Sequence, residues 1–236
     1  MFKLLPREGT VRLPEAGGDT CGATEGQGPP LRLLVLGDST AAGVGAATHR
    51  EALAGQLAPA LAALTGRAVS WRVAAKSGAT VDSVRHELLP QLTDPMTRWR
   101  PELVLAAVGV NDARRLRGPH AFRREVGRLV RDIRLRLGHD VPIVFAGLPS
   151  LERADALTPG IKRLLTGYLW LLDRQLQKVA AREVSIFHLP TGGPPRIIGE
   201  WFAADRLHPS PQGYLAWART LAAGIAPLAE ESAVGS

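Results

Sequence analysis

The stretch LRLLVLGDSTAAGVG, residues 31–45, changes character half-way along. Leu31, Leu33, Leu34, Val35 and Leu36 make a short apolar run of the kind that fills a strand covered on both faces. The run stops on Gly37-Asp38-Ser39-Thr40, and small residues follow, Gly43 and Gly45 among them. A nucleotide loop, a plain turn and a reactive serine would each fit such an ending. The glycines at 37, 43 and 45 do not spell the dinucleotide fingerprint, and no Gly-Lys-Ser/Thr follows to make a P-loop. Nor does Gly37-x-Ser39-x-Ala41 satisfy the nucleophile elbow of α/β-hydrolases.

Working outward, similar runs rich in Val, Leu or Ile recur at 68–74, 102–108, 141–147 and 184–189. Helical patterns lie between them. Thr48 and Glu51 form a capping-box pair ahead of a helix reaching about residue 64, with Pro59 as a kink. A shorter helix is predicted over 82–92. Phe122, Val126, Leu129, Val130, Ile133 and Leu137 make one apolar stripe, and 211–228 fits a last helix. The segment 161–181 is apolar nearly all round and reads as a well-buried helix. Five strands alternating with helices predict a parallel sheet covered on both faces, with ligands beyond the carboxyl ends of the strands.

Residues 1–30, with Pro6, Pro14, Pro29, Pro30 and little periodicity, read as an extended arm that can pack onto the domain. Residues 31–228 read as the single domain, and 229–236 as a tail. A chain of 236 residues with 45% hydrophobic content is enough for one substantial core. No run reaches the roughly 18 apolar residues of a membrane span. The start of the chain lacks the apolar region of a secretory signal, and Cys21 is the lone cysteine. A reducing, cytoplasmic location is expected. The net charge of +7 raises the question of nucleic acid. Of 29 basic residues only four are lysine, and the arginines are spread out, with small clusters at Arg114-Arg115-Arg117 and Arg123-Arg124. Without a zinc-finger spacing, an RNA signature or a basic tail, no nucleic-acid partner is expected, and the charge reads as background.

The strand ends carry the chemistry. Ser39 follows the first, Gly78 the second, Gly109-Val110-Asn111-Asp112 the third, and Asp205-Arg206-Leu207-His208 comes after the fifth. Acyl transfer to a serine needs a neutral histidine as base, a partner that fixes its tautomer, and donors aimed at the developing oxyanion. Asp205 and His208 are close enough in sequence for one turn to present both. Ser39 N–H, Gly78 N–H and the Asn111 amide could serve as donors.

In this order and spacing the four blocks resemble the SGNH or GDSL hydrolases over about residues 31–226. The resemblance implies a flavodoxin-like three-layer α/β/α sandwich with a five-stranded parallel sheet. It also implies esterase, lipase or thioesterase chemistry without a cofactor, on a small-molecule ester; from the residues themselves, neither a metal site nor stable membrane insertion is expected. It assigns Ser39 as nucleophile, His208 as base and Asp205 as its orienter. Gly78 and Asn111 become oxyanion donors beside the Ser39 amide. Asp38 and Asp112, read from the residues themselves, are expected to give structural support around them. Thr40 departs from the name motif, which has leucine there, and the arm before residue 31 lies outside the pattern.

The residues alone leave other readings open. Ser39 could simply cap a helix, Asn111 could make an Asx turn with Asp112, and Asp205 and His208 could ligate a metal with Asp38 or Asp112. A catalytically silent module binding carbohydrate or lipid would keep the same fold, and a nucleic-acid binder using the arginine excess is the lesser alternative. His49, His86, His120, His139 and His188 have no matched partners and read as surface or helix-end residues. Trp170, Trp201, Phe202 and the stretch 149–159 are candidates for the walls of a substrate pocket. The oligomeric state is left open.

Overall fold

The computed structural model describes residues 11–93, 96–152, 156–191 and 201–234, with side chains to 230 in the last stretch. Six strands form one sheet: β1 (Cys21–Ala23), β2 (Gln27–Gly37), β3 (Arg67–Ala75), β4 (Leu103–Ala107), β5 (Ile143–Ala146) and β6 (Ile186–Leu189). They lie in the order β1-β3-β2-β4-β5-β6. β2 to β6 are parallel to their neighbours, and β1 runs antiparallel on the edge of β3. Counted by themselves, the five parallel strands follow the flavodoxin-like order, whose reversal point lies between β2 and β4.

The sheet therefore has six strands where the apolar runs predict five. The extra strand comes from the arm, and its Cys-Gly-Ala has no hydrophobic pattern to announce it. Backbone bonds hold it: Val73 N–H donates to Thr20 O at 2.8 Å, and Thr24 N–H donates to Val69 O at 2.9 Å. The arm covers a sheet edge that would otherwise be open to pairing with another chain.

Alternating side chains of β2 go to opposite faces. Leu31, Leu33 and Val35 pack with α1 (Leu53–Thr65) and the last helix. Leu34 and Leu36 pack on the other side, under α2 (Val81–Ser83) with the π and 3-10 turns that continue it to Gln91. Beyond β4 come the short α3 (Val110–Arg114) and the long α4 (Pro119–Leu137); α5 (Pro159–Ala180) joins α4 on this face, and α6 (Pro211–Val234) returns to α1. These are the two outer layers of a three-layer sandwich.

Two local expectations change. Glu51 Oε2 does accept from Thr48 N–H at 3.2 Å and Thr48 Oγ1 at 3.3 Å, but in a turn before the helix. α1 itself starts at Leu53 after Ala52, which supplies no side-chain cap. α5 is not buried all round. Leu165, Leu169, Leu172, Leu176 and Val179 face the core, while Leu164 and Trp170 are each 57% exposed. The sheet offers α5 one surface to pack against, so its remaining apolar residues face outward. No helix among the described residues is long and apolar enough to cross a membrane.

Candidate active site

The first loop is built by Asp38. Its N–H donates to Ala107 O at 3.1 Å, which pins the loop to the end of β4. Its Oδ1 accepts from both Thr40 N–H and Thr40 Oγ1 at 3.1 Å. The acid thus folds back on its own loop and leaves Ser39 projecting from the rim. The threonine that departs from the name motif is half of this clasp. Burial pushes the Asp38 carboxyl up to about 6, against the pull of the Thr40 N–H and hydroxyl. Further along, Val44 N–H donates to Ser39 O at 2.9 Å, and the fully buried Tyr214 donates its hydroxyl to Val44 O at 2.8 Å. Gly45 has φ +104°, and a Cβ there would lie 2.2 Å from Pro209 O. Only glycine lets the Ser39 loop lie this close to the segment following His208.

That segment is a tight turn. Asp205 Oδ1 accepts from Leu207 N–H and His208 N–H, both at 3.0 Å. Arg206 between them takes φ +54°, an uncommon conformation for a residue with a side chain. The turn brings His208 back over its own partner, with Nδ1 2.6 Å from Asp205 Oδ2. On the other side of the ring, His208 Nε2 lies 2.9 Å from Ser39 Oγ. Burial would raise the Asp205 carboxyl, but the His208 ring and the two N–H groups outweigh it and hold the acid below the ordinary carboxylate range. An ionised Asp205 calls for the tautomer with its proton on Nδ1. That leaves the Nε2 lone pair to accept from the serine hydroxyl.

Gly78 and Asn111 come from the turns that follow β3 and β4, the strands flanking β2. Gly78 takes φ +81° in the turn after β3, and Thr80 then opens α2. Thr80 Oγ1 accepts from Ser83 N–H while Ser83 Oγ accepts from Thr80 N–H, a reciprocal cap. Among the described residues neither Ser39 N–H nor Gly78 N–H donates to a protein acceptor. Asn111 Nδ2 donates to Ala79 O at 3.1 Å and lies 3.5 Å from Asp38 Oδ2, so its second hydrogen is only loosely held. Asp112 Oδ2 accepts from Val81 N–H at 3.1 Å and ties α3 to α2. Burial, with some help from Asp38, pushes the Asp112 carboxyl up to about 6. Every site residue singled out from the sequence therefore lies at the carboxyl edge of the sheet, around its reversal point. Asp38 is engaged by the Thr40 N–H and hydroxyl and Asp112 by the Val81 N–H; among the described residues no group of three potential ligands is arranged for a metal.

The sequence profile of the GDSL-like lipase/acylhydrolase family matches residues 35–216. The chain belongs to that family. No curated protein matches it. Solved structures do. The chain is similar to the lipase Lip_vut3 from a goat rumen metagenome, with 21% identity, TM-score 0.63, and coverage of 82% of this chain and 96% of that one. It is similar to a lipase/acylhydrolase from Enterococcus faecalis, with 20% identity, TM-score 0.61, and coverage of 83% and 95%. A family 3 carbohydrate esterase from Clostridium thermocellum is also similar, with 16% identity, TM-score 0.63, and coverage of 86% and 98%. At these identities the likeness establishes the GDSL-hydrolase fold.

In this family member an apolar cleft opens beside Ser39 and His208, walled by Val110, Pro149, Leu151, Leu157, Leu165 and Leu169, with Arg114 at its edge. A second cavity, lined among others by Leu148, Trp201, Phe202 and Trp217, lies beyond Pro149, Leu151 and Leu207 and touches Thr40 but not Ser39. Trp201 and Phe202 thus border the site region, whereas Trp170 is exposed and lines neither cavity. The wall has a support that reading the sequence missed. His188 on β6 is not partnerless: its Nε2 lies 2.8 Å from Asp173 Oδ1, which also accepts from Leu148 N–H at 2.8 Å. Burial raises the Asp173 carboxyl, but the bonds from His188, Leu148 and Gln177 prevail and lower it. The contact joins a helix to a strand, so no local spacing announces it.

Proposed function

We propose that the chain hydrolyses carboxylic esters through an acyl-serine intermediate, with Ser39, His208 and Asp205 as its triad. The observation that carries this reading is the line of two hydrogen bonds from Asp205 through the His208 ring to Ser39 Oγ. His208 Nε2 takes the hydroxyl proton as Ser39 Oγ attacks the ester carbonyl. Asp205, ionised and held against Nδ1, stabilises the imidazolium that forms. The oxyanion is met by Ser39 N–H, Gly78 N–H and the loosely held hydrogen of Asn111. As the intermediate collapses, the C–O bond to the alcohol breaks and His208 returns its proton to the leaving oxygen. Water, deprotonated by the same nitrogen, then attacks the acyl-serine, and the acid departs with Ser39 Oγ reprotonated. Asp38 and Asp112 hold the loops and do not touch the reacting atoms.

The apolar cleft suits an alkyl acyl group better than a sugar, since its walls are mostly hydrocarbon. Small esters reaching it in the cytoplasm would meet no cofactor requirement. A panel of p-nitrophenyl esters from acetyl to long acyl chains, run on the wild type and on Ser39→Ala, tests the proposal. Turnover should rise from acetyl toward longer chains and fall at least roughly 10³-fold in the folded variant. A folded Ser39→Ala protein that keeps most of its turnover would sink the mechanism.

A further inference from the structure

Helices α4 and α5 lie side by side over one face of the sheet, and each buries one stripe in the same core. Opposite the buried stripe of α4, Arg124, Arg128, Arg131 and Leu135 recur at spacings of three and four. Opposite the buried stripe of α5 stand Arg163, Leu164, Trp170, Leu171, Arg174 and Lys178. Leu135 is 78% exposed, Leu164 and Trp170 57% each, and Leu171 40%. The Arg174 guanidinium sits over the Trp170 ring, 5.1 Å from its centroid.

Neither helix puts an acid on this outer surface. Glu125 is buried against Arg117, and Asp132 accepts from Arg85 Nε at 2.5 Å. Asp173 is engaged by His188 and the Leu148 N–H. The arginines that look like scattered background in the sequence thus gather, in part, on one surface that is both basic and apolar. Basic side chains draw a surface toward anionic headgroups, and exposed Trp and Leu beside them supply apolar area to bury at the headgroup boundary. Both helices follow strands at the carboxyl edge of the sheet, so their first halves lie nearest Ser39. Leu165 and Leu169, next along the chain to Leu164 and Trp170, line the cleft that holds Ser39.

We propose that the outer face of α4 and α5 docks the protein on a lipid surface carrying anionic headgroups. Leu164, Trp170 and Leu171 enter the headgroup–acyl boundary, and the arginines pair with lipid phosphates. A second copy of the chain fits the face poorly, because two-fold pairing would set arginine against arginine with no acid between them. A nucleic acid would satisfy the arginines and leave three exposed leucines without a counterpart. The docking does not depend on the ester hydrolysis proposed above, and the two can fail separately.

The test is flotation of the full-length protein with vesicles of phosphatidylcholine alone and with about one-third phosphatidylglycerol. The bound fraction should be at least ~10-fold higher on the anionic vesicles and should collapse near ~1 M salt. Arg163→Ser/Arg174→Ser and Leu164→Ser/Leu171→Ser should each lower binding at least ~5-fold, with hydrolysis of a soluble acetyl ester unchanged. Equal binding to both vesicles, binding to neither, or full binding by the leucine variant would overturn the proposal. So would tighter binding to duplex DNA at equal phosphate, or a solution dimer that the leucine variant dissociates. Loss of soluble-ester turnover in the wild type would remove the proposed reaction and leave the docking result standing.

Discussion

Asn111 Nδ2 commits one hydrogen to Ala79 O, and the same nitrogen lies a long 3.5 Å from Asp38 Oδ2. The first bond fixes the side chain, and the second contact is weak enough for a developing oxyanion to displace it. Asn111→Ala should therefore lower kcat by roughly 10²–10³-fold with little change in KM. Steady-state kinetics on the best ester checks this, and a variant altered only in KM would place the amide elsewhere. At this scale the sequence was most informative where chemistry restricts residue type. Ser39, Asp205, His208, Gly78 and Asn111 could be singled out as candidates because few residues can do the tasks proposed for them. The clasp between Thr40 and Asp38 was not legible, since a threonine after a serine suggests nothing by itself. Nor was the Asp173–His188 pair, which exists only once a helix has been laid against a strand.

The elements differ in how openly they are written. β2 to β6 fall on the apolar runs because strands covered on both faces must be hydrophobic throughout. β1 has no such run, being an edge held by backbone bonds, and so it went unseen. α5 went wrong for a related reason: composition says that a helix is apolar, while packing decides which side is covered. The short α2 matters more than its length suggests, because Gly78 and Ala79 lead straight into its reciprocal cap. Thr80→Ala should cost about 1 kcal/mol of stability, the usual worth of such a cap. Urea denaturation reads it directly, and an unchanged midpoint would mean that the cap carries no weight there.

Across the whole molecule, folding brings Ser39 and His208 together from 169 residues apart and sets two buried acids near them. Asp38 and Asp112 each have a carboxyl raised from 3.8 to about 6, chiefly by burial. The folded protein therefore holds these protons more tightly than the unfolded chain does. Their contribution to stability is fully present below about 3.8 and is lost as pH rises through about 6. Asp112→Asn removes one of the two titrations while keeping an acceptor for Val81 N–H. Relative to that variant, the wild type should lose up to roughly 3 kcal/mol between about pH 4 and pH 7. Paired denaturation curves at those two pH values check this; a pH-independent difference would contradict it. The arm, the sheet and both helical layers serve one arrangement, a serine hydroxyl held against the free nitrogen of His208. The most direct test of that arrangement is reaction of the folded protein with a fluorophosphonate, followed by peptide mass spectrometry. The expected result is a single adduct on Ser39 that accumulates much more slowly in His208→Ala. No adduct, or an adduct on another residue with Ser39 unmodified, would contradict the assignment of Ser39 as the nucleophile.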